Sequence, residues 1–237
     1  MIIVEKKTFL KGAIMAVLFF VVLAFMFTPN FGDGRNAFEA SDELFNSISK
    51  GSTNYFERLK TQSEPFKGKS MDVVLKIADA KMAEDALKVL QATGAKTVAA
   101  PGGVALKSDD MDQIISACLK DAEDMFNNKG TEVSGRYSIP EKEVLYTWWV
   151  AFNATIKAFN GQKRFKEAAY LEEVLARGVA VGYNYYTIEP EDIFSKAGII
   201  VFALVFYVFY TLWWGFAVFF LAEGIGLQLT GGHKEET

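Results

Sequence analysis

Two uncharged, strongly apolar runs lie at opposite ends of the chain, residues 12–32 and 197–222, and the stretch between them is mixed and largely polar. As helices rising about 1.5 Å per residue they measure about 31 and 39 Å. A bilayer's hydrocarbon core is about 30 Å thick, so each run is long enough to cross it, the second with some tilt or with one end among the headgroups. The fold class expected from this is a membrane protein with two transmembrane helices bracketing an extracytoplasmic α+β domain. That domain is mostly helical, with a small β-α-β-β-α sandwich and a helical hairpin.

Charge at the flanks sets the orientation. Lys6, Lys7 and Lys11 precede the first run, whereas Asp33, Glu39, Asp42 and Glu43, with only Arg35, follow it. Cationic flanks stay on the cytoplasmic side, which places both termini in the cytoplasm and the middle outside. The expected organisation is a cytoplasmic N-terminus (1–11), a first transmembrane helix acting as signal-anchor (12–32), an extracytoplasmic, periplasmic domain (33–189), a juxtamembrane helix continuing into the second transmembrane helix (190–222), and a cytoplasmic tail (223–237). The membrane expected is the bacterial inner (cytoplasmic) membrane. A cleaved signal peptide is the competing reading of the N-terminus, although the exit sequence lacks a clean small-x-small site.

Whole-chain composition conceals this layout, since a hydrophobic fraction of 51% and a net charge of −4 also suit a globular protein. Residues 29–196 carry 21 Lys+Arg and 25 Asp+Glu, so the domain is mildly acidic and has no basic stripe, which argues against nucleic acid as a partner. Cys118 is the only cysteine, so no disulfide forms within the chain. Its apolar neighbours in DQIISACLKDAEDMF predict a buried thiol. A domain of this size holds a core without staples.

Within the domain, Ser41-Asp42-Glu43 suits a helix start, and Gly51-Ser52 a break before a second short helix around Tyr55, Phe56 and Leu59. A β-branched run over 71–77 precedes a helical pattern over 80–93 closed by Gly94. Strands over 96–100 and 104–107 flank Pro101-Gly102-Gly103, the pairing a type II turn needs. A helix over about 110–127 follows. Ser138-Ile139-Pro140-Glu141 has the capping-box pattern and opens a helix that ends at Asn160-Gly161, with a partner from Arg164 to Leu175. Pro190, followed by Glu191 and Asp192, suits the first turn of a helix running on into the second span, which would make a stiff joint.

The chemistry is narrowed mostly by what is missing. The one histidine is His233, in the tail, so a Ser-His-Asp or Cys-His site and a His-ligated zinc site are excluded from the domain. No C-x-x-C-H and no Gly-rich phosphate loop occurs. No catalytic residue, metal or cofactor is expected, and only carboxylate or lysine catalysis stays open. The densest acidic group, Asp109, Asp110, Asp112, Asp121, Glu123 and Asp124, reads as a helix start and a solvated face, with a cation site as the alternative.

Aromatic residues carry the remaining signal. In the second run Phe202, Phe206, Phe209, Trp213, Phe216 and Phe220 recur with 4-3 spacing along one face, with Tyr207, Tyr210 and Trp214 beside it. The polar tips of these three need partners inside a membrane, which favours a protein neighbour. Trp148 and Trp149 point about 100° apart on a helix, so that one can be core while the other is lateral; packing of both in the core or hairpin is the first reading, and both are candidate partner-binding residues. Tyr183, Tyr185 and Tyr186 fit an interfacial aromatic belt.

These features favour a non-catalytic accessory or assembly subunit of a larger inner-membrane complex. It would dock through the second transmembrane helix and cover the outer face with its soluble domain. Its partners would be other integral membrane subunits and the lipid bilayer, and a homo-oligomer is compatible with the same surfaces. The alternative is an extracytoplasmic ligand-binding or sensory module acting through a separate membrane partner, a layout similar to that of bacterial transmembrane receptors.

Overall fold

A computed structural model describes residues 3–227, which form two compact units: residues 3–48 with 191–227, and residues 49–190. Residues 228–237, including His233, Lys234, Glu235 and Glu236, lie outside the described residues.

The first unit is built on two helices long and apolar enough to cross a membrane, α1 (Lys6–Met26) and, at the other end of the chain, the last helix, Ala197–Gly224. The α1 helix starts within the lysine-bearing flank and stops at Met26. The expected 12–32 span therefore shifts toward the N-terminus, because Thr28, Pro29 and the turn-forming Gly32 and Gly34, both at positive φ, cannot continue it. Next comes α2 (Ala37–Ser52), which opens earlier than Ser41. Asn36 Oδ1 accepts from the N–H groups of Phe38 (2.9 Å) and Glu39 (3.0 Å), and the Glu39 carboxylate accepts from Asn36 N–H at 3.0 Å. This reciprocal cap satisfies donors that the first turn otherwise leaves orphaned.

In the second unit, α3 (Phe56–Ser63) runs into a short 3-10 turn (Glu64–Phe66) and then β1 (Met71–Lys76). The helix α4 (Ala80–Gln91) is capped by Asp79, whose carboxylate accepts from Met82 N–H at 2.7 Å. Strands β2 (Lys96–Ala100) and β3 (Gly103–Ser108) follow, and the sheet is antiparallel throughout in the order β1-β3-β2. Gly102 at the hairpin turn has φ +75°, the conformation the Pro-Gly pairing predicts. One face of the sheet is packed: Met71, Val73, Leu75, Val104 and Leu106 are buried against the helices, while Asp72, Val74 and Lys76 point away. The β-branched run over 71–77 thus becomes a strand, with the period-two burial of a sheet that has one face packed.

Helix α5 (Met111–Phe126), capped by Asp110, completes the β-α-β-β-α order. An unforeseen short helix, α6 (Gly130–Tyr137), comes next. It takes Ser138 as its C-cap, in the left-handed conformation at φ +54°. Ser138 therefore closes one helix and does not open the next, and α7 (Glu141–Gly161) begins behind Pro140 with no side-chain cap. The expected capping box is not formed, since Ser138 cannot hold the extended N-cap backbone while serving as a C-cap. Helix α8 (Phe165–Val174) outlasts its expected end, passing through a π-helical turn (Leu175–Val179) into α9 (Ala180–Asn184).

No helix begins at Pro190. Residues 193–196 form a turn in which Ser195 N–H donates to Asp192 Oδ2 at 3.0 Å, and α10 (Ala197–Gly224) begins only after it. Asp192 holds this turn through its own side chain, the alternative to a helix that aspartate offers a local backbone.

Candidate partner-binding surface

The face of α10 turned toward α1 is set by spacing. Ala203, Phe206, Tyr210, Trp213, Ala217, Phe220 and Gly224 alternate at three and four residues and are the less exposed positions of the helix. Glycines let the two backbones approach closely. A Cβ added at Gly12 would stand 2.7 Å from Leu221 N, and one at Gly224 would stand 2.6 Å from Phe9 Cα. Contacts of Phe9 with Gly224, Gly12 with Ala217 and Leu221, and Phe19 with Tyr210 make the pair antiparallel.

This seam splits the predicted aromatic stripe. Phe206, Trp213 and Phe220 border α1, whereas Phe202, Phe209 and Phe216 face outward, Phe209 being 68% exposed. The polar tips are divided too. Tyr210 OH donates to Phe19 O at 2.9 Å, and Trp213 Nε1–H donates to Met15 O at 3.1 Å. The Tyr210 ring stacks on Phe19 at 4.1 Å, and Trp214 packs on Phe19 and Phe20. The neighbour that these groups require is α1 of the same chain. Tyr207 differs, pointing outward with no hydrogen bond to its hydroxyl among the described residues.

In the second unit, Trp148 is wholly buried, edge-on to Phe152 at 5.5 Å, and its Nε1–H donates to Asp121 Oδ2 at 2.7 Å. Trp148 is therefore core and no part of an outer surface. Trp149 is exposed and stacks on Tyr146 with the rings 10° from parallel. The tyrosine belt is not found as expected: Tyr185 and Tyr186 pack against the domain core, and only Tyr183 is exposed.

Two buried polar centres escaped the sequence reading. Asp121, expected on a solvated face, is 1% exposed. It accepts from Tyr137 OH and Trp148 Nε1–H through Oδ2, and from Arg136 through Oδ1, each at 2.7 Å. Burial raises its pKa above the ordinary carboxylate value, opposed by these three donors. Of the rest of that acidic group, Asp110 caps α5, Glu123 pairs with Lys60 and Asp124 with Arg136, while Asp112 Oδ1 is buried without a hydrogen-bond partner among the described residues. No cluster of metal-ligating side chains exists among the described residues. Cys118, one turn before Asp121, is fully buried, and burial pushes its thiol pKa well up, as the apolar neighbours predicted.

The second centre is Lys50, 3% exposed. Its Nζ donates to Ile188 O (2.5 Å), Tyr185 O (3.1 Å) and Asn128 Oδ1 (3.1 Å). Asn128 Nδ2 in turn donates to Ile188 O and to Glu189 Oε1. Desolvation lowers the lysine pKa against the pull of Glu189. The last turn of α2 is thereby clasped to residues 185–189, which gives the domain's entering and leaving strands one shared fastening. No local pattern marks Lys50, because its partners lie 78 to 138 residues away.

The uncovered face of the sheet forms an open groove of about 560 Å³ past Val74, Val98 and Ala105, edged by Asp72, Lys96 and Lys107. Comparison with protein-family models, curated proteins and solved structures finds no match to this chain.

Proposed function

We propose that the chain is a non-catalytic accessory subunit of a larger membrane complex, anchored by α1 and α10, with residues 49–190 as an extracytoplasmic domain. The partner docks on the outward face of α10. The observation that carries this is the asymmetry of that helix: its inner polar tips are satisfied by α1, while Phe202, Tyr207, Phe209 and Phe216 stay open. A tyrosine hydroxyl facing pure hydrocarbon lacks an acceptor, and a second membrane protein supplies one. The lysine-rich flank before α1 supports the orientation with both termini inside.

Gentle detergent extraction followed by native mass spectrometry tests the reading. Expected is a stable assembly with at least one other membrane protein, weakened in the F202A/F209A/F216A variant. Recovery only as a monomer or homodimer would discard it.

A further inference from the structure

A second group of apolar side chains is left bare where the two long helices meet the rest of the first unit. Phe27, the C-cap of α1, is 62% exposed, and Phe194, in the turn before α10, is 85% exposed. Ile193, Phe38 and Phe45 are exposed as well. These residues are held together. The Phe38 ring packs on Phe27 with centroids 5.0 Å apart, and Glu191 N–H donates to Ser47 O at 3.1 Å, tying the turn to α2. Phe38 and Phe45 are seven apart on α2 and share its outward face. The cations among them are paired, Arg35 with Glu43 and Asp33 and Lys196 with Glu191 at 2.8 Å, whereas Glu39, Asp42 and Asp192 have no cationic partner among the described residues.

We propose that Phe38, Phe45, Ile193 and Phe194 form a collar that rests in the headgroup–acyl boundary of the bilayer. This rests on the reading that α1 and α10 cross the membrane. The occupant follows from continuity. Phe27 ends one spanning helix and Phe194 lies three residues before the other begins, so lipid that surrounds the helices reaches the collar without a gap. Bare Phe and Ile side chains carried on an otherwise polar surface bury at the headgroup–acyl boundary. With both cations, Arg35 and Lys196, held in ion pairs, the collar needs no anionic lipid, in contrast to polybasic surface segments. The collar takes the place of the tyrosine belt, whose members Tyr185 and Tyr186 are used up in packing the domain.

Nitroxide labels at F45C, F194C, F209C and V98C, each in the full chain in phosphatidylcholine nanodiscs, test this by their accessibility to oxygen and to a water-soluble nickel chelate. Cys118 is buried and stays unlabelled. Labels at F45C and F194C should fall between lipid-facing F209C and water-exposed V98C, unchanged when part of the phosphatidylcholine is replaced by phosphatidylglycerol. If F194C yields poorly, I193C replaces it. Nickel accessibility at both collar sites equal to that at V98C, with F209C still oxygen-rich, overturns the collar alone. Shielding from both reagents would mean a protein contact and overturns it too. If F209C itself behaves like V98C, the membrane-crossing reading fails with it.

Discussion

Asp121 joins α5 to α6 and α7 through three donors, and its energetics can be measured one substitution at a time. D121N keeps one oxygen and puts an N–H in place of the other, so that it faces either Arg136 or the Tyr137 and Trp148 donors and leaves at least one buried donor unpaired. The expected loss is about 3 kcal/mol of stability, read by chemical denaturation of the full chain in detergent. The pH dependence has a definite sign. Burial raises the folded pKa above 3.8, so the native state holds the proton over a window in which the unfolded chain has released it. The associated stability is complete below the unfolded value and is lost as pH rises through the folded one. The gap between wild type and D121N should accordingly widen as pH falls from 7 toward 4; a constant gap would mean that the carboxylate titrates normally. The adjacent tryptophans give a second contrast at this scale. W148A removes a fully buried ring and should cost about 3–5 kcal/mol, whereas W149A removes a surface ring and should cost under about 1 kcal/mol.

At the scale of elements, the α1–α10 pair depends on bare backbone at Gly12 and Gly224. G12L drives a side chain into the Leu221 backbone and should force the helices apart. Crosslinking by a short bis-thiol reagent between cysteines introduced at Phe19 and Tyr210, whose rings stack at 4.1 Å, is expected to be efficient in the parent and to fall several-fold with G12L. The clasp on Lys50 is the other element-level device. K50M keeps the stem and removes the ammonium, which takes one donor each from Asn128 Oδ1, Tyr185 O and Ile188 O and leaves them only the local bonds from Thr187 N–H, Ile188 N–H and Asn128 Nδ2. Hydrogen exchange should then accelerate selectively over 185–189, where Thr187 N–H donates to Asn128 Oδ1, while the sheet exchanges as before. Equal acceleration in β1–β3 would make Lys50 a general core residue and no local fastening. The joint to α10 is thus a clasped strap followed by a turn, where Pro190 had suggested a continuous helix.

For the whole molecule, the proposed topology puts the bare sheet face outside. A membrane-impermeant maleimide should label V98C in intact cells as fully as in lysed ones, and labelling only after lysis would invert the orientation. Much of the architecture was legible in the chain because its causes are local. Uncharged length marks the two long helices, a β-branched run over 71–77 marks β1, and Pro101-Gly102 marks the hairpin. These signals depend on neighbours within a turn or two and survive without knowledge of the fold. The exceptions are also local: Ser138 suits either end of a helix, and only the presence of α6 decides which. Sites proved less legible. A 4-3 aromatic stripe identifies a helix face but not its occupant. The packing of α1 assigns Tyr210 and Trp213 to an internal seam and leaves Phe202, Phe209 and Phe216 outside. Likewise an aspartate in an acidic helix looks solvated until Tyr137 and Trp148 fold over it, and Lys50 looks like a surface lysine until residues 185–189 return to it. The strands, the two long apolar helices and most of the others are written in neighbouring residues, through burial pattern and turn chemistry, whereas α6 and the turn at 193–196 are not. Only the tertiary structure decided which polar groups are consumed internally and which aromatic rings stay free, because hydrogen bonds and contacts between residues far apart in the chain exist only once the backbone has brought them together.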